Sequence, residues 1–296
     1  MSFVRNVQPV VPCISIGMPV YNCAETLPWA IRSILNQSFC DWELLILDDG
    51  SNDSTVEVAA SFSDARIRVV CDGKHLGLAD RLNQAIALSR GAFFGRMDGD
   101  DVAYPDRLAA QVGFLKTHPE VDLLGGGILV FGRDGNPLGT RKSMLTHEEI
   151  CRRPSSGFYL AHPTWLGKTE WFRRNGYRAD ALRCEDQDLL LRTYETSRFA
   201  ALPEILLGYR EQELSLRKIF VGRRSYLRSV IRESLRKRRY LIAATAIVEH
   251  TLKATVEWFA IGTGLKYRIL RHRAKAVDTS AQLFWARVWN EARCAG

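Results

Sequence analysis

The sequence predicts an α/β protein with a mostly parallel central sheet, followed by a helical and basic extension. Short apolar runs alternate with helical patterns through the first hundred residues, which is typical of βαβ units with helices on both faces of a parallel sheet. Residues 217–296 hold 18 Lys or Arg against 5 Asp or Glu, which gives this part a net charge of +13. Because the net charge of the whole chain is +8, residues 1–216 have a net charge of −5. We therefore predict a globular domain over residues 1–214 and a basic helical extension over residues 215–296.

Each element is predicted from its own pattern, in chain order. Apolar runs of strand length predict the strands, and apolar residues at three- and four-residue steps predict the helices. The predicted strands are residues 13–20, 42–47, 67–70, 92–97 and 121–130. The predicted helices are residues 24–36, 55–62, 78–89, 105–118 and 185–196. Residues 141–184 are predicted to be irregular, because Pro154, Pro163 and Gly176 interrupt any regular pattern.

The composition is typical of a globular protein of the cytoplasm. With 46% hydrophobic and 25% charged residues, the chain can bury a sizeable core. Seven scattered cysteines, none in a CxxC pair, indicate reduced thiols rather than disulfides or a zinc site. Residues 1–12 lack the apolar core of a signal peptide, and charged residues interrupt the apolar stretch at 241–265. We therefore expect a cytoplasmic protein without a membrane-spanning helix.

Two acidic clusters directly follow predicted strands. Residues 48–51 read Asp-Asp-Gly-Ser, and residues 98–101 read Asp-Gly-Asp-Asp. Because ligands of parallel sheets bind beyond the carboxyl ends of the strands, both clusters lie where a ligand would bind. The first is equally typical of a turn that precedes a helix. The three carboxylates of the second repel one another unless a cation neutralises them, which indicates a Mg²⁺ or Mn²⁺ site, with a solvated acidic turn as the alternative.

Nine short motifs follow one another along residues 14–192. The N-terminal motifs are ISIGMPVYN at residues 14–22, SILNQS at 33–38, WELLILDDGS at 42–51, LGLA at 76–79 and LNQAI at 82–86. The later motifs are RMDGDD at residues 96–101, PDRL at 105–108, HPT at 162–164 and CEDQDLLLR at 184–192. In this order they closely resemble the motifs of family 2 glycosyltransferases of the GT-A type. The resemblance covers about residues 12–210 and implies a Rossmann-like nucleotide-sugar-binding domain with an inverting, metal-dependent activity.

The resemblance implies which residues bind the nucleotide-sugar donor. Pro19, Tyr21 and Asp49 stand where the family contacts the base and ribose of the nucleotide. A carboxylate at a strand end is suited to accept hydrogen bonds from either group. Asn22 and Asn83 are assigned to the same site.

The resemblance also implies a metal site. Asp98 and Asp100 occupy the DxD positions of the family, and Asp101 is adjacent. These residues are expected to hold the Mn²⁺ or Mg²⁺ ion that bridges the donor diphosphate, with Asp98 also in contact with the nucleotide sugar. Bound there, the ion neutralises charge on the leaving nucleoside diphosphate. Gly99 replaces the more usual Ala or Ser, and we expect it to make this backbone more flexible.

The general base is expected near the start of the last predicted helix of the domain. Asp186 stands where the family places the base that takes the proton of the acceptor hydroxyl. Glu185 is the second candidate, and Asp188 is a third. Carboxylates at the start of a helix also complement the helix dipole, so the residues alone leave a purely structural role open.

Three other residues have two interpretations each, and a fourth departs from the pattern of the family. His162 either faces the acceptor or diphosphate or has a structural role, as a lone histidine before a proline usually does. Arg81 or Lys74 either neutralises phosphate or is a surface charge. Gln212 stands after Tyr-Arg, where many relatives have a histidine. If that histidine helps to bind the metal or the diphosphate in relatives, this function is missing or altered here.

Residues 219–235 predict an amphipathic helix with arginines opposite its apolar face. Such a helix lies on anionic membrane surfaces, here through Phe220, Leu227 and Ile231, on the inner face of the cell membrane. Packing of the helix on the catalytic domain is the alternative. Nucleic-acid binding is not expected, because no recognised motif accompanies the charge.

The expected function is inverting transfer of a sugar from a nucleotide-diphosphate sugar, with UDP-sugars favoured, to a hydroxyl of a glycan or lipid-linked acceptor. Assembly of a surface polysaccharide or glycoconjugate fits this activity. A sugar-1-phosphate nucleotidyltransferase would need a glycine-rich phosphate loop, whereas residues 19–26 contain no glycine. A catalytically inactive sugar-nucleotide-binding or scaffold protein is the alternative, and the aspartates at positions 49, 98, 100 and 186 disfavour it.

Overall fold

The computed structural model describes residues 11–211, 216–262 and 277–294. The strands are β1 (Ile14–Val20), β2 (Trp42–Asp48), β3 (Ile67–Cys71), β4 (Phe93–Arg96), β5 (Val102–Ala103), β6 (Leu123–Phe131), β7 (Pro137–Arg141), β8 (Leu166–Lys168) and β9 (Phe199–Arg210). The helices are α1 (Leu27–Leu35), α2 (Thr55–Ala60), α3 (Leu78–Leu88), α4 (Arg107–Thr117), α5 (His147–Ile150), α6 (Thr169–Asn175), α7 (Glu185–Thr193), α8 (Leu216–Arg236), α9 (Tyr240–Gly262) and α10 (Thr279–Arg293). A 3₁₀ turn spans His162–Thr164.

A mixed sheet organises these elements. Its strands lie in the order β3-β2-β1-β4-β8-β6-β9-β5, and β7 pairs with β6. The pairs among β1 to β4 are parallel, as is the pair of β6 with β9. β8 lies antiparallel between β4 and β6, and β5 pairs antiparallel with β9. The predicted α/β class is confirmed, and the first four strands lie within one residue of their predicted bounds.

Helices cover both faces of the sheet, and the sequence of β2 shows why. Leu44 and Ile46 pack into a core with α1, α2 and α4, whereas Leu45 and Leu47 pack into a second core with α3, α6 and α7. Side chains of a strand point alternately to opposite faces. A strand that is apolar at nearly every position is therefore buried on both sides, as strands of parallel sheets usually are.

The prediction that residues 141–184 are irregular is wrong in part. This segment contains α5, β8 and α6. β8 has only three residues, too few for a hydrophobic pattern, and it is stabilised by hydrogen bonds to a neighbour on each side. α5 begins with a capping box between Thr146 and Glu149. α6 ends at Gly176, whose φ of 48° favours glycine.

The C-terminal extension packs on the globular domain through α8, α9 and α10, and Ala246 of α9 is buried in the same core as α7. α8 buries Tyr226 and Val230 in the core beside α7. α10 buries Trp285 and Trp289 against Phe131 of β6. Within the residues that the structure describes, no helix has the length and apolar character needed to cross a membrane. The end of the apolar pattern at 241–265, beyond residue 262, lies outside those residues.

Candidate active site

The carboxyl ends of β1, β2 and β4 meet at one edge of the sheet. The amide of Asp49, directly after β2, donates to the Val20 carbonyl of β1 at 2.8 Å. The amide of Met97, directly after β4, donates to the Gly17 carbonyl of β1 at 3.1 Å. Parallel pairing therefore places the two acidic clusters on either side of β1.

Asp49 organises the loop that follows β3. Its buried carboxylate accepts hydrogen bonds from the Gly77 amide at 3.1 Å and from Arg81 Nε at 3.0 Å. His75 Nδ1 lies 3.1 Å from the same carboxylate, and the His75 ring packs on the exposed ring of Tyr21 with 4.8 Å between centroids. Tyr21, Asp49 and His75 thus lie together and combine aromatic faces with polar atoms, a surface suited to a nucleobase.

Arg81 is buried, and both interpretations of it from the sequence are replaced. Its Nη2 donates to Asp72 at 2.7 Å, and its Nε is held by Asp49. This arginine therefore fixes the loop that carries His75, whereas Lys74 is exposed. The interpretation of the first acidic cluster as a turn applies to Asp48. Its carboxylate accepts hydrogen bonds from the backbone amides of Gly50 and Ser51.

Four of the predicted donor residues border one cavity, Asp98 among them, whereas Asp49 and Asn83 are not among its lining residues. Pro19, Tyr21 and Asn22 border a cavity of about 620 Å³, which we call the first cavity. Asn83 instead exchanges two hydrogen bonds with the backbone of Tyr177, at 2.9 and 2.8 Å. The Asn83 amide thus holds the segment that leads to α7.

The second acidic cluster also borders the first cavity through Asp98 and Asp100. Carboxylate oxygens of Asp98, Asp100 and Asp101 lie within 4.8 Å of one another. Asp101 Oδ1 accepts from the Arg210 amide at 2.9 Å, while its buried Oδ2 has no hydrogen-bond partner among the described residues. Burial raises the pKa of Asp98, and burial with the neighbouring carboxylates raises the pKa of Asp101 well above its usual range. Clustered oxygens, one of them unpartnered, fit a hard divalent cation.

Gly99 is explained by packing. A Cβ at this position would lie 2.9 Å from Val20 Cγ1 and 3.0 Å from Cys23 Sγ. The Gly99 carbonyl also accepts a hydrogen bond from Thr26 Oγ1 at 3.0 Å. Glycine therefore lets the acidic loop lie close to the end of β1 and the start of α1.

A second cavity, of about 1050 Å³, meets the first. Asp186 and His162 border the second cavity, and Arg96, Asp98 and Tyr209 border both. Its walls come from the 3₁₀ turn, the start of α7 and the segment after β7. The candidate metal ligands and the candidate base thus lie on two neighbouring cavities that share three lining residues.

Arg96 places a positive charge at the junction of the two cavities. Its Nη2 donates to Asp98 Oδ1, while its buried Nε has no hydrogen-bond partner within the described part of the chain. Burial opposes the charge of Arg96, but Asp98 and other nearby acidic groups keep its pKa raised. Buried Arg107 supports this region by donating to the carbonyls of Arg96 at 2.8 Å and Pro163 at 2.9 Å.

Asp186 lies at the start of α7 and borders the second cavity. Its Oδ2 accepts a hydrogen bond from Gln187 Nε2 at 3.1 Å. Burial raises the pKa of Asp186 above the usual range of an aspartate. A carboxylate with a raised pKa is a stronger base once it is ionised, so this group is suited to take a proton from a hydroxyl bound in the cavity.

The other two acidic residues of α7 have different surroundings. Asp188 is fully buried and is paired with Arg192 Nε at 2.8 Å. Glu185 accepts from the Arg183 amide at 3.0 Å, which is a contact at the helix N-terminus. Burial raises the pKa of Glu185 as well. Of the three candidates, Asp186 is the one that borders the second cavity.

His162 has both a structural contact and a place at the second cavity. Its Nε2 lies 2.9 Å from the Tyr177 hydroxyl, and its ring packs edge-on against Trp165 with 4.5 Å between centroids. Burial and the nearby Arg96 hold the pKa of His162 well below its usual range. Burial and Arg96 thus disfavour the charged imidazolium form of His162.

Sequence reasoning missed His75, Arg96 and Arg210. Arg96 stands directly before Met97 and Asp98, and a cation that ends a strand beside an acidic cluster is a signal that the sequence contained. His75 and Arg210 are brought to the site by loop packing and by pairing between β9 and β6, which no local pattern reveals. Gln212 lies outside the described residues.

Comparison with known proteins shows the family of this chain. Residues 15–176 match glycosyl transferase family 2. EpsE of Bacillus subtilis (strain 168), which carries the name of a putative glycosyltransferase, is 36% identical over 208 residues, covering 68% of this chain and 73% of EpsE. The chain belongs to glycosyl transferase family 2.

Solved structures share its fold. S. aureus TarS 1–349 in complex with UDP-GlcNAc matches with a TM-score of 0.62 at 19% identity, over 94% of this chain and 81% of that chain. The mannosyltransferase PcManGT from Pyrobaculum calidifontis, in complex with GDP-Man and Mn²⁺, matches with a TM-score of 0.59 at 16% identity. The match covers 95% of this chain and 87% of that chain. At these identities the likeness shows the fold, and the predicted GT-A fold is confirmed.

Proposed function

We propose that the protein transfers a sugar, with inversion, from a nucleoside-diphosphate sugar in the first cavity to an acceptor hydroxyl in the second. The observation that carries this proposal is that the two cavities meet at Arg96, Asp98 and Tyr209. A donor and an acceptor bound in them would meet at that junction. Holding the two reactants in line is what a single displacement needs.

The acidic cluster is proposed to hold Mn²⁺ or Mg²⁺. Its three carboxylates suit such an ion, and Oδ2 of Asp101 has no hydrogen-bond partner in the described part of the chain. When bound, the ion supplies Lewis-acid stabilisation of the leaving nucleoside diphosphate. The complex of PcManGT with GDP-Man and Mn²⁺ supports this choice.

Asp186 is proposed as the general base. Its half-buried carboxylate takes the proton from the acceptor hydroxyl while the hydroxyl oxygen bonds to the anomeric carbon. The bond from that carbon to the diphosphate oxygen breaks in the same step, and its electron pair leaves with the nucleoside diphosphate. Because there is one in-line displacement, the configuration inverts. Glu185 is the second candidate for this role.

The favoured donor is a UDP-sugar. The complex of TarS with UDP-GlcNAc supports it, and that of PcManGT with GDP-Man makes GDP-sugars the second choice. The second cavity has room for a saccharide. A glycan or lipid-linked acceptor, in the assembly of a surface polysaccharide or glycoconjugate, fits that cavity.

The C-terminal extension is proposed to place the enzyme on the cytoplasmic face of an anionic membrane. Because Leu227 of α8 packs on the domain, the apolar contacts come from α9, where Leu241, Val248 and Leu252 are 82%, 60% and 62% exposed. Their spacing puts them on one helix face. Exposed arginines of α8, such as Arg224, add positive charge. Exposed apolar and basic side chains together suit an anionic lipid surface.

A calorimetric titration tests the proposed activity against the alternative of an inactive scaffold. UDP, GDP and dTDP are titrated into the full-length protein with and without Mn²⁺, and hydrolysis of the matching nucleotide sugar is then followed. We expect one nucleoside diphosphate to bind in a metal-dependent way and its sugar conjugate to be slowly hydrolysed. Binding that does not depend on Mn²⁺, or no binding of any of the three nucleoside diphosphates, would contradict the proposal. Binding without hydrolysis or transfer would favour the scaffold.

A further inference from the structure

Arg210, the last residue of β9, contacts the acidic cluster through its backbone and its side chain. Its amide donates to Asp101 Oδ1 at 2.9 Å, and its Nε donates to the Asp100 carbonyl at 3.0 Å. Its Nη1 donates to the Arg133 carbonyl, in the loop between β6 and β7, at 3.4 Å. A single residue thus ties the end of β9 and a neighbouring loop to two of the three clustered aspartates.

Three aromatic rings surround the guanidinium of Arg210, and we call them the aromatic box. The Arg210 Cζ atom lies 5.0 Å from the centre of the Trp29 ring, 4.6 Å from Phe131 and 5.5 Å from Trp289. Arg210 is only 7% exposed, so water does little to stabilise its charge. The faces of the three rings stabilise the charge instead and hold the guanidinium in one place.

The aromatic box joins two distant parts of the chain. Trp29 belongs to α1 and Phe131 to β6, whereas Trp289 belongs to α10 in the C-terminal extension. α10 is anchored on its own account, because Trp285 is buried and its Nε1 donates to the Gly135 carbonyl at 2.8 Å. The third wall of the box is therefore present only when the C-terminal helix is docked.

We propose that Arg210 is a positioning residue for the acidic cluster and that Trp289 holds it in place, so that the C-terminal helix is part of the donor site. This rests on the proposed function, since it takes the cluster as the metal site. With the ring of Trp289 present, the Nε of Arg210 stays on the Asp100 carbonyl and the carboxylates converge. Without the ring, Arg210 gains rotamer freedom, the loop loosens, and the cluster binds the ion less tightly.

The test compares two replacements of Trp289 in the full-length protein. Trp289→Leu keeps an apolar side chain but removes the aromatic face, whereas Trp289→Phe keeps an aromatic face. Phe284→Leu is the matched control, because Phe284 lies on the same helix and packs on Tyr104, with 5.5 Å between centroids. Free Mn²⁺ is measured by electron paramagnetic resonance, without nucleotide and with saturating UDP, GDP or dTDP. Each variant is measured well below its own Tm.

We expect Trp289→Leu to raise the Kd for Mn²⁺ roughly tenfold, the scale of a partly desolvated cation–π contact. Trp289→Phe and Phe284→Leu should bind Mn²⁺ as the wild type does. Arg210→Lys should weaken binding at least as much as Trp289→Leu, because an ammonium lacks the fixed fork of donors. If Trp289→Leu does not fold, the Kd of Arg210→Lys for Mn²⁺ tests the inference in its place.

Two outcomes contradict the inference, and they are distinguishable. If the wild type and the folded variants bind Mn²⁺ equally, Arg210 and Trp289 have no positioning role, while the proposed function stands. If the wild type itself binds no Mn²⁺ under any of these conditions, the proposed metal site is wrong and this inference fails with it.

Discussion

Arg96 Nη2 donates a hydrogen bond to Asp98 Oδ1 where the two cavities of the protein meet. This pair offsets part of the repulsion within the acidic cluster. It also places a cation near Asp186, whose charged form Arg96 favours against the effect of burial. The same guanidinium thus supports both carboxylates to which the proposed reaction assigns a role.

Loss of one clustered carboxylate should abolish metal-dependent binding. We expect Asp100→Ala to eliminate the Mn²⁺-dependent affinity for nucleoside diphosphate while the Tm changes little, because Asp100 lies in a loop at the cavity. Calorimetry with and without Mn²⁺ measures this. Asp41→Ala is the control, since Asp41 is exposed and precedes β2 at the opposite edge of the sheet. Affinity in Asp100→Ala that is unchanged and still metal-sensitive would show that Asp100 is no ligand.

Removal of the proposed base should affect turnover rather than donor binding. We expect Asp186→Asn to lower kcat by about 10²–10⁴-fold, the usual scale of general-base catalysis. The amide keeps the shape of the side chain but cannot accept the hydroxyl proton. Glu185→Gln, the matched variant one residue earlier, should retain most activity. If Glu185→Gln loses activity on this scale and Asp186→Asn does not, the base is Glu185.

The raised pKa of Asp186 predicts opposite effects of pH on activity and stability. Activity needs the ionised carboxylate, so kcat/KM should be low at a pH below the raised pKa and should increase as the pH rises through that pKa. Ionisation of the buried group opposes folding, so wild-type stability falls as pH rises from the unfolded to the folded pKa. Asp186→Asn should therefore be more stable than the wild type at neutral pH and equally stable in acid. Urea unfolding at both pH values checks this, and equal stability at neutral pH would refute it.

Membrane binding should depend on both the charged and the apolar side chains of the extension. Full-length protein should co-sediment with anionic vesicles at low salt but not with neutral vesicles or at high salt. Arg224→Gln with Arg228→Gln should weaken binding about 30-fold, at about 1 kcal/mol for each charge. The same change at exposed Arg152 and Arg153 of the globular domain is the control. Equal losses in both pairs would argue against a specific surface.

The apolar part of the same prediction concerns the exposed face of α9. Val248→Glu with Leu252→Glu should abolish vesicle binding without affecting the fold, because both side chains are more than half exposed. Undiminished binding by this double variant would exclude α9 from the membrane surface. Full-length variants suit the experiment better than a truncation near residue 216, because truncation would remove α10 and uncover the surface that buries Trp285.

The sequence predicted the parallel half of the sheet and the position of both acidic clusters. β1 to β4 are short apolar runs with clear ends, and parallel pairing alone brings the residues after β2 and β4 beside β1. The placement of Asp98 and Asp100 at a cavity follows from that topology. Local pattern was sufficient for these features.

The rest of the site depends on contacts between distant residues. Asn83 was assigned to the donor, but its amide pairs with the backbone of Tyr177, and no pattern within α3 reveals this. The aromatic box needs Trp289 to return to Arg210 from the far end of the chain. The sequence predicts the amphipathic pattern of α8, but a pattern does not tell whether protein or lipid covers the apolar face of a helix.

The anomeric configuration of the product tests the central claim most directly. Once titration has identified the nucleotide, an α-linked nucleotide sugar is supplied with a glycan acceptor, and the product is examined by NMR. With Asp186 as a base in a single displacement, the account predicts a β-glycoside. An α-glycoside would mean retention, and it would contradict the roles given to both Asp186 and Glu185.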